Sequence, residues 1–298
     1  MPSSFPFSRF SSLLGVHSLL VIFTAGWLPR SSKYLGSLPP QASSKDRPQH
    51  PFLHPITADP LLTLGWLCIG ILAVNATWAP FMKREIQYSR IALYGEDEEA
   101  KIKRRSESGR NMLGALVDAL VSTSVLALLL HIVLVLFGAS IVHYFSRTFA
   151  LALLIALLAA FTPAYVLGRP SLASNSSSLV HRLTWLRLFV EFSLRNEFER
   201  SLVYPSVGAV VGAWVGAIPI ALDWDRPWQA WPLTVAYGAV GGYIIASWAA
   251  FVVNGVLFLA EESRQYDRDT AEAVTAAAEA ESSSKKARKK VKSRKSGQ

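Results

Sequence analysis

Long apolar runs constrain this chain more than any other feature. Six blocks stand out, at 10–28, 60–82, 112–137, 148–167, 202–221 and 233–259. A bilayer core of ~30 Å is crossed by roughly 20 mostly apolar helical residues, and these blocks reach or approach that length. Only 17% of the chain is charged, against about 25% in an ordinary soluble protein. The charges fall between the blocks rather than within them. One large soluble core would not segregate them in this way, so the pattern predicts an all-α membrane protein, a bundle of six transmembrane helices. The first block has a second reading, a signal peptide following Arg9. Ala25-Gly26-Trp27 is a poor cleavage site and Pro29 ends the run, which favours a span.

Six spans place both termini on one side, and basic residues identify that side. The N-terminus, loop 83–111, loop 168–201 and the tail carry 24 of the 30 Lys and Arg residues. Loops 29–59, 138–147 and 222–232 carry the other 6. Leaving out the distal cluster from Lys285 to Lys295 still gives 16 against 6. The termini are therefore expected in the cytosol. The net charge of +9 points to anionic lipid headgroups rather than nucleic acid, because most of the excess flanks apolar blocks.

Residues 1–261 read as the polytopic membrane domain and 262–298 as a cytosolic basic tail. The tail begins as a helix-prone Ala/Glu stretch and ends in KKARKKVKSRKSGQ, an end expected to be disordered and polybasic. Loop 83–111 joins the acidic run Glu96–Glu99 to the basic run Lys101–Arg105 and reads as a solvated connector. Between spans four and five, apolar residues recur at Leu179, Leu183, Leu186, Val190 and Leu194. That spacing predicts a short cytosolic amphipathic helix, with Arg187, Glu191 and Arg195 as an i, i+4 ladder beside it. A helical extension of span five fits the same spacing.

Few residues invite chemistry. Cys68 is the sole cysteine, so no disulfide and no cysteine-based zinc site forms within the chain. The six histidines make no HxxxH or HExxH pair. Asp118 and His131 lie in span three, thirteen positions apart, roughly 220° around a helix. They face different directions and read as packing or hydrogen-bonding residues. No catalytic residue, cofactor site or metal site is assigned. Asn75-Ala-Thr falls within span two and Asn175-Ser-Ser in a cytosolic loop, so neither sequon is expected to be glycosylated.

Two features of the last two spans are more specific. Gly208, Gly212 and Gly216 repeat at every fourth position of span five, and Gly238 and Gly242 do so in span six, followed by Ala246 and Ala250. Such series let helix backbones approach closely. They imply either a tight antiparallel hairpin of spans five and six or a glycine face offered to another protein. The turn between these spans is dense in tryptophan and charge: Asp223, Trp224, Asp225, Arg226, Trp228 and Trp231. It reads either as an aromatic belt at headgroup depth, with an aspartate pairing Arg226, or as a surface that recognises a polar lipid head.

The stretch WVGAIPIALDWDRPWQAWP, from Trp214 to Pro232, resembles the signature of the PIG-F family. The likeness extends upstream to Glu199-Arg-Ser-Leu202 and downstream through Gly238, Gly242 and Tyr243. A looser match runs from His131 to Gly168, with HIVLVLFGA, Thr148-Phe149 and Thr162-Pro163; His17 and the first span match weakly. Loop 83–111 and the polybasic tail depart from the pattern, so the resemblance says nothing of their roles. It implies a multi-pass protein of the endoplasmic reticulum that takes part in glycosylphosphatidylinositol (GPI) anchor assembly. In that setting it would be a non-catalytic subunit. It would bind and stabilise larger ethanolamine-phosphate transferases, which move phosphoethanolamine from phosphatidylethanolamine onto mannose of the GPI precursor. Phosphatidylethanolamine or the precursor itself would then be candidate lipid partners. A lipid or solute carrier and an intramembrane enzyme remain the alternative readings from the residues alone.

Overall fold

The computed structural model describes residues 5–30, 51–94, 98–170, 175–222, 224 and 226–295, of which 89–94, 98–111, 177, 278 and 280–295 are described as backbone alone. Among the described residues the chain is helical throughout, without a strand. The helices are α1 (Phe7–Gly26), α2 (His54–Thr57), α3 (Pro60–Tyr94), α4 (Glu98–Leu136), α5 (Phe145–Ala159), α6 (Phe161–Leu167), α7 (Ser176–Phe189), α8 (Glu197–Ala217) and α9 (Leu233–Lys295). Five are long and apolar enough to cross a membrane, or six if α5 and α6, bent by 42°, count as one span.

Local chemistry sets the helix ends. Asn175 and Asn196 cap α7 and α8, their side chains accepting from Ser178 N and Glu199 N. Gly138, at φ 100°, closes α4: its N–H donates to Val135 O while Ala139 N donates to Leu134 O, a Schellman arrangement. The bend between α5 and α6 lies just before Pro163. Proline has no N–H to complete the helical ladder, and its ring crowds the preceding turn.

The chain divides into two compact units, Met1–Phe251 and Val252–Gln298. In the first, α5 and α6 form the centre. Leu151, Leu154, Ile155, Leu158 and Phe161 are almost fully buried, against Leu64, Leu67 and Ile71 of α3 and Ala209 of α8. The outer apolar faces are exposed, notably Leu113, Val125, Leu128, Leu129 and Ile132 of α4 and Leu19, Ile22 and Phe23 of α1. A second cluster gathers Phe5, Phe10, Trp78, Met82 and Phe198.

Several expectations are revised. The Ala/Glu stretch is helical, as its composition favours, and the helix runs on to Lys295 through the basic end expected to be disordered. Loop 83–111 is taken up by the ends of α3 and α4, with 95–97 outside the described residues. The ladder of Arg187, Glu191 and Arg195 does not form on one helix. α7 stops at Phe189, and Phe192 adopts a left-handed φ of 52°, so the chain turns before α8. This break also separates α7 from α8, which removes the reading of one continuous extension. Leu179, Val180, Leu183, Leu186 and Val190 are exposed along α7, while Leu188 is fully buried.

Candidate functional site

Packing of α8 against α9 is built on glycine. A Cβ at Gly212 would collide with the carbonyl oxygen of Gly238 and lie 2.8 Å from Gly242 Cα. One at Gly238 would strike Gly212 O and come within 2.8 Å of Gly216 Cα. Gly242 faces Gly208 O in the same way, Gly208 faces Gly242 O and Ala246 Cβ, and Gly216 faces Thr234 O. All five glycines thus sit on one seam where backbone meets backbone. At this separation Cα–H groups reach carbonyl oxygens of the other helix. Gly241, one position from the seam, has open space where its Cβ would be.

The turn beyond this seam is held by a residue that sequence reasoning passed over. Gln229 accepts from Arg226 N (2.8 Å) through Oε1, and donates through Nε2 to Pro219 O (2.6 Å) and Leu222 O (2.8 Å). One amide side chain thereby joins the end of α8 to the segment entering α9. The available signal was its position between Pro227 and Pro232. These two residues have no N–H, so the surrounding backbone needs a side-chain partner. Trp224 and Trp228 meet edge to face at 5.6 Å, with Trp224 exposed and Trp228 half-buried. Trp231 turns inward and donates from Nε1 to Thr148 Oγ1 of α5 (3.2 Å), ahead of a cis Trp231–Pro232 bond. Arg226 is half-buried. Asp223 and Asp225, and with them the expected pairing with Arg226, lie outside the described residues.

The opposite side of α9 is tied to α1 through polar groups. Tyr237 donates to Ala25 O (2.8 Å), His17 Nε2 and Tyr243 Oη share a hydrogen bond (2.9 Å), and Trp248 Nε1 donates to Ser18 Oγ (3.1 Å). The His17 ring also stacks on Trp78 of α3 at 4.5 Å. On α4, Asp118 pairs with Arg169 at 3.2 Å and His131 packs edge-on against Phe145 and Phe149. The two therefore occupy separate surroundings. Arg187 grips Glu199 with both guanidinium nitrogens, at 3.0 and 2.5 Å, and also donates to Ser193 O. The bond to Glu199 raises the Arg187 guanidinium still further above its ordinary pKa.

Sequence comparison identifies the lineage. The profile of the GPI biosynthesis protein family Pig-F matches residues 50–251, which include the seam, the turn and most of the bundle. The chain belongs to this family. Among its Pig-F relatives is a human protein named "GPI ethanolamine phosphate transferase, stabilizing subunit", 30% identical over 181 residues, covering 59% of this chain and 74% of that protein. A mouse protein of the same name is 38% identical over 118 residues, covering 39% of this chain and 48% of its own. A Neurospora crassa protein named "Glycosylphosphatidylinositol anchor biosynthesis protein 11" is 36% identical over 156 residues, 52% of this chain and 50% of its own. The match thus spans about half of the second and third of these. No solved structure matches the chain. The resemblance carried by DWDRPWQAWP and the Pig-F match point the same way, and the profile extends beyond the residues of that resemblance to α3 and the rest of α4.

Proposed function

We propose that this Pig-F chain is a non-catalytic membrane subunit that binds and stabilises a GPI ethanolamine phosphate transferase in the endoplasmic reticulum. It thereby supports phosphoethanolamine addition to mannose of the GPI precursor. The observation that carries this reading is the relationship to the human stabilizing subunit across 181 residues. The geometry agrees with it. A hairpin closed by glycine and fastened by Gln229 makes a rigid support, while the exposed apolar faces of α1 and α4 leave area for the helices of a larger partner.

In this reading the chain crosses the bilayer six times, with α5 and α6 forming one bent span. Both termini face the cytosol, following the distribution of basic residues. The α8–α9 turn then lies on the lumenal side. There Trp224, Trp228 and Arg226 stand at headgroup depth, where phosphatidylethanolamine or the GPI precursor would pass. α7 lies along the cytosolic interface with its exposed leucines in lipid, while Arg187 is held by Glu199 of α8.

The test is affinity purification of the tagged full-length chain in mild detergent, with identification of what co-purifies. Recovery of a larger transferase, together with loss of that transferase from cells lacking this chain, is the expected result. A well-folded chain that purifies alone, in cells whose transferase level does not depend on it, overturns the proposal.

A further inference from the structure

A cavity of about 660 Å³ opens between α4, α5, α8 and α9 at the end of the bundle that carries the α8–α9 turn. Its inner wall is apolar, formed by Leu134, Ile155, Ala213 and Val235, with Val210 exposed at the rim. Phe137 of α4 and Trp214 of α8 also line it and are strongly exposed, which leaves the cavity open along the α4–α8 side of the bundle. Trp231 also lines the cavity, fixed in place by its bond to Thr148. The volume lies within the range of about 300–1,000 Å³ typical of small-molecule sites.

Polarity changes along the cavity's length. Beyond the end of α4 the lining becomes Gly138, Ala139, Ser140 and Tyr144. The Arg147 guanidinium lies 5.3 Å from the Tyr144 ring centre, half-buried, and pairs with no carboxylate among the described residues. An apolar slot that opens sideways, with two hydroxyls and an unneutralised cation at its outer end, is complementary to an amphiphile with an anionic group. At this depth the surrounding solvent is phospholipid.

We infer that the cavity holds one acyl chain of a phospholipid, with the lipid phosphate beside Ser140, Tyr144 and Arg147. The chain enters between Phe137 and Trp214, and its methylenes pack on Leu134, Ile155, Val210 and Val235. Trp231, itself part of the turn, lines the cavity, so lipid occupancy and turn geometry share a wall. This site does not depend on the transferase reading, because its occupant comes from the bilayer.

The test places the full-length chain in lipid nanodiscs containing a phosphatidylcholine with a diazirine at the end of one acyl chain. Crosslinks are then mapped by peptide mass spectrometry. Crosslinks are expected to concentrate on Leu134, Val210 and Ala213. Ala217→Trp, which narrows the cavity from its rim, is expected to abolish them, whereas Leu129→Trp on the outer face of α4 leaves them intact. Both variants are first checked for an unchanged size-exclusion profile, and Val210→Phe replaces Ala217→Trp should the latter fail that check. Arg147→Gln is expected to weaken labelling about fivefold for the phospholipid, as for loss of one partly exposed charge contact, and not for a diacylglycerol carrying the same diazirine. Labelling spread evenly over the exposed faces of α1 and α4, or unchanged by filling the cavity, overturns the inference. So does a transferase helix crosslinked at Val210 in the co-purified complex, because the occupant would then be protein.

Discussion

Tyr243 and His17 share a hydrogen bond of 2.9 Å, buried in the bundle, across 226 positions of sequence. It joins the last span to the first, and the Nδ1 of the same imidazole has no hydrogen-bond partner among the described residues. Losing the tyrosine hydroxyl would leave both ring nitrogens unsatisfied in a buried site, at a cost of about 1–3 kcal/mol. Tyr243→Phe is therefore expected to lower the unfolding temperature of the purified chain in detergent. The double variant His17→Phe/Tyr243→Phe removes both polar partners and is expected to recover part of that loss. A double variant whose deficit equals the sum of the two single ones would show that the pair contributes no coupling.

Gly212 allows a different prediction, because its neighbour is backbone and cannot give way. Gly212→Leu is expected to force α8 from α9, at a cost at the upper end of the ~1–3 kcal/mol range for overpacking, and to reduce co-purification of the transferase. Gly241→Ala, in open space on the same helix, is expected to leave size-exclusion profile and co-purification unchanged. Equal effects of the two would show that the seam has no special role.

Gln229 makes three hydrogen bonds in the turn. Gln229→Ala is expected to cost about 1–3 kcal/mol and to increase proteolysis between Leu222 and Pro232. Gln229→Glu keeps an acceptor for Arg226 N but places negative charge against two carbonyl oxygens, so it should not rescue the turn. Arg226→Ala retains the backbone N–H that Gln229 uses and is expected to leave proteolysis unchanged. Intact complex assembly with failed lipid modification in that variant would assign the guanidinium to headgroup contact.

Arg187 and Glu199 form a two-pronged pair that a lysine cannot reproduce. Arg187→Lys is expected to lose about 1.5–2 kcal/mol, the lower part of the range for hydrogen bonds to charged groups, and to loosen the segment between α7 and α8. Faster amide hydrogen exchange over residues 190–196 is the measurement. Unchanged exchange would mean that Asn196 and the left-handed Phe192 fix the segment without the pair.

Much of the helix layout is legible in the sequence, because hydrocarbon thickness imposes length and composition on each span. The apolar blocks at 60–82 and 233–259 lie within α3 and α9, those at 112–137 and 202–221 lie mostly within α4 and α8, and Pro163 marks the bend between α5 and α6. The glycine series at Gly208–Gly216 and Gly238–Gly242 is equally visible, since close approach tolerates hardly any other residue. What escaped depends on three-dimensional partnership. Arg187 has Glu191 four residues away, yet it bonds Glu199, because the helix ends before the nearer carboxylate can align. Gln229 looks like a polar spacer among tryptophans until the carbonyls of Pro219 and Leu222 are brought to it. His17 and Tyr243 are separated by the seven helices from α2 to α8, and no local pattern links them. The tail divides in the same way: the helix of its Ala/Glu stretch is legible, whereas the charge of its basic end suggests disorder where the helix continues.

The glycine seam has one further consequence. Its small residues recur every fourth position on both helices, so sliding α8 along α9 by one repeat, ~6 Å at the helical rise, would set glycine against glycine again. A surface with such translational symmetry fits well at several offsets and cannot select among them. Counting must be done elsewhere, by groups that do not repeat: Gln229 reaching two particular carbonyls, and Trp231 finding Thr148 on a third helix. The tryptophan-rich turn then acts as the index mark on a sliding scale, and damage to it would leave two well-packed helices locked at the wrong graduation.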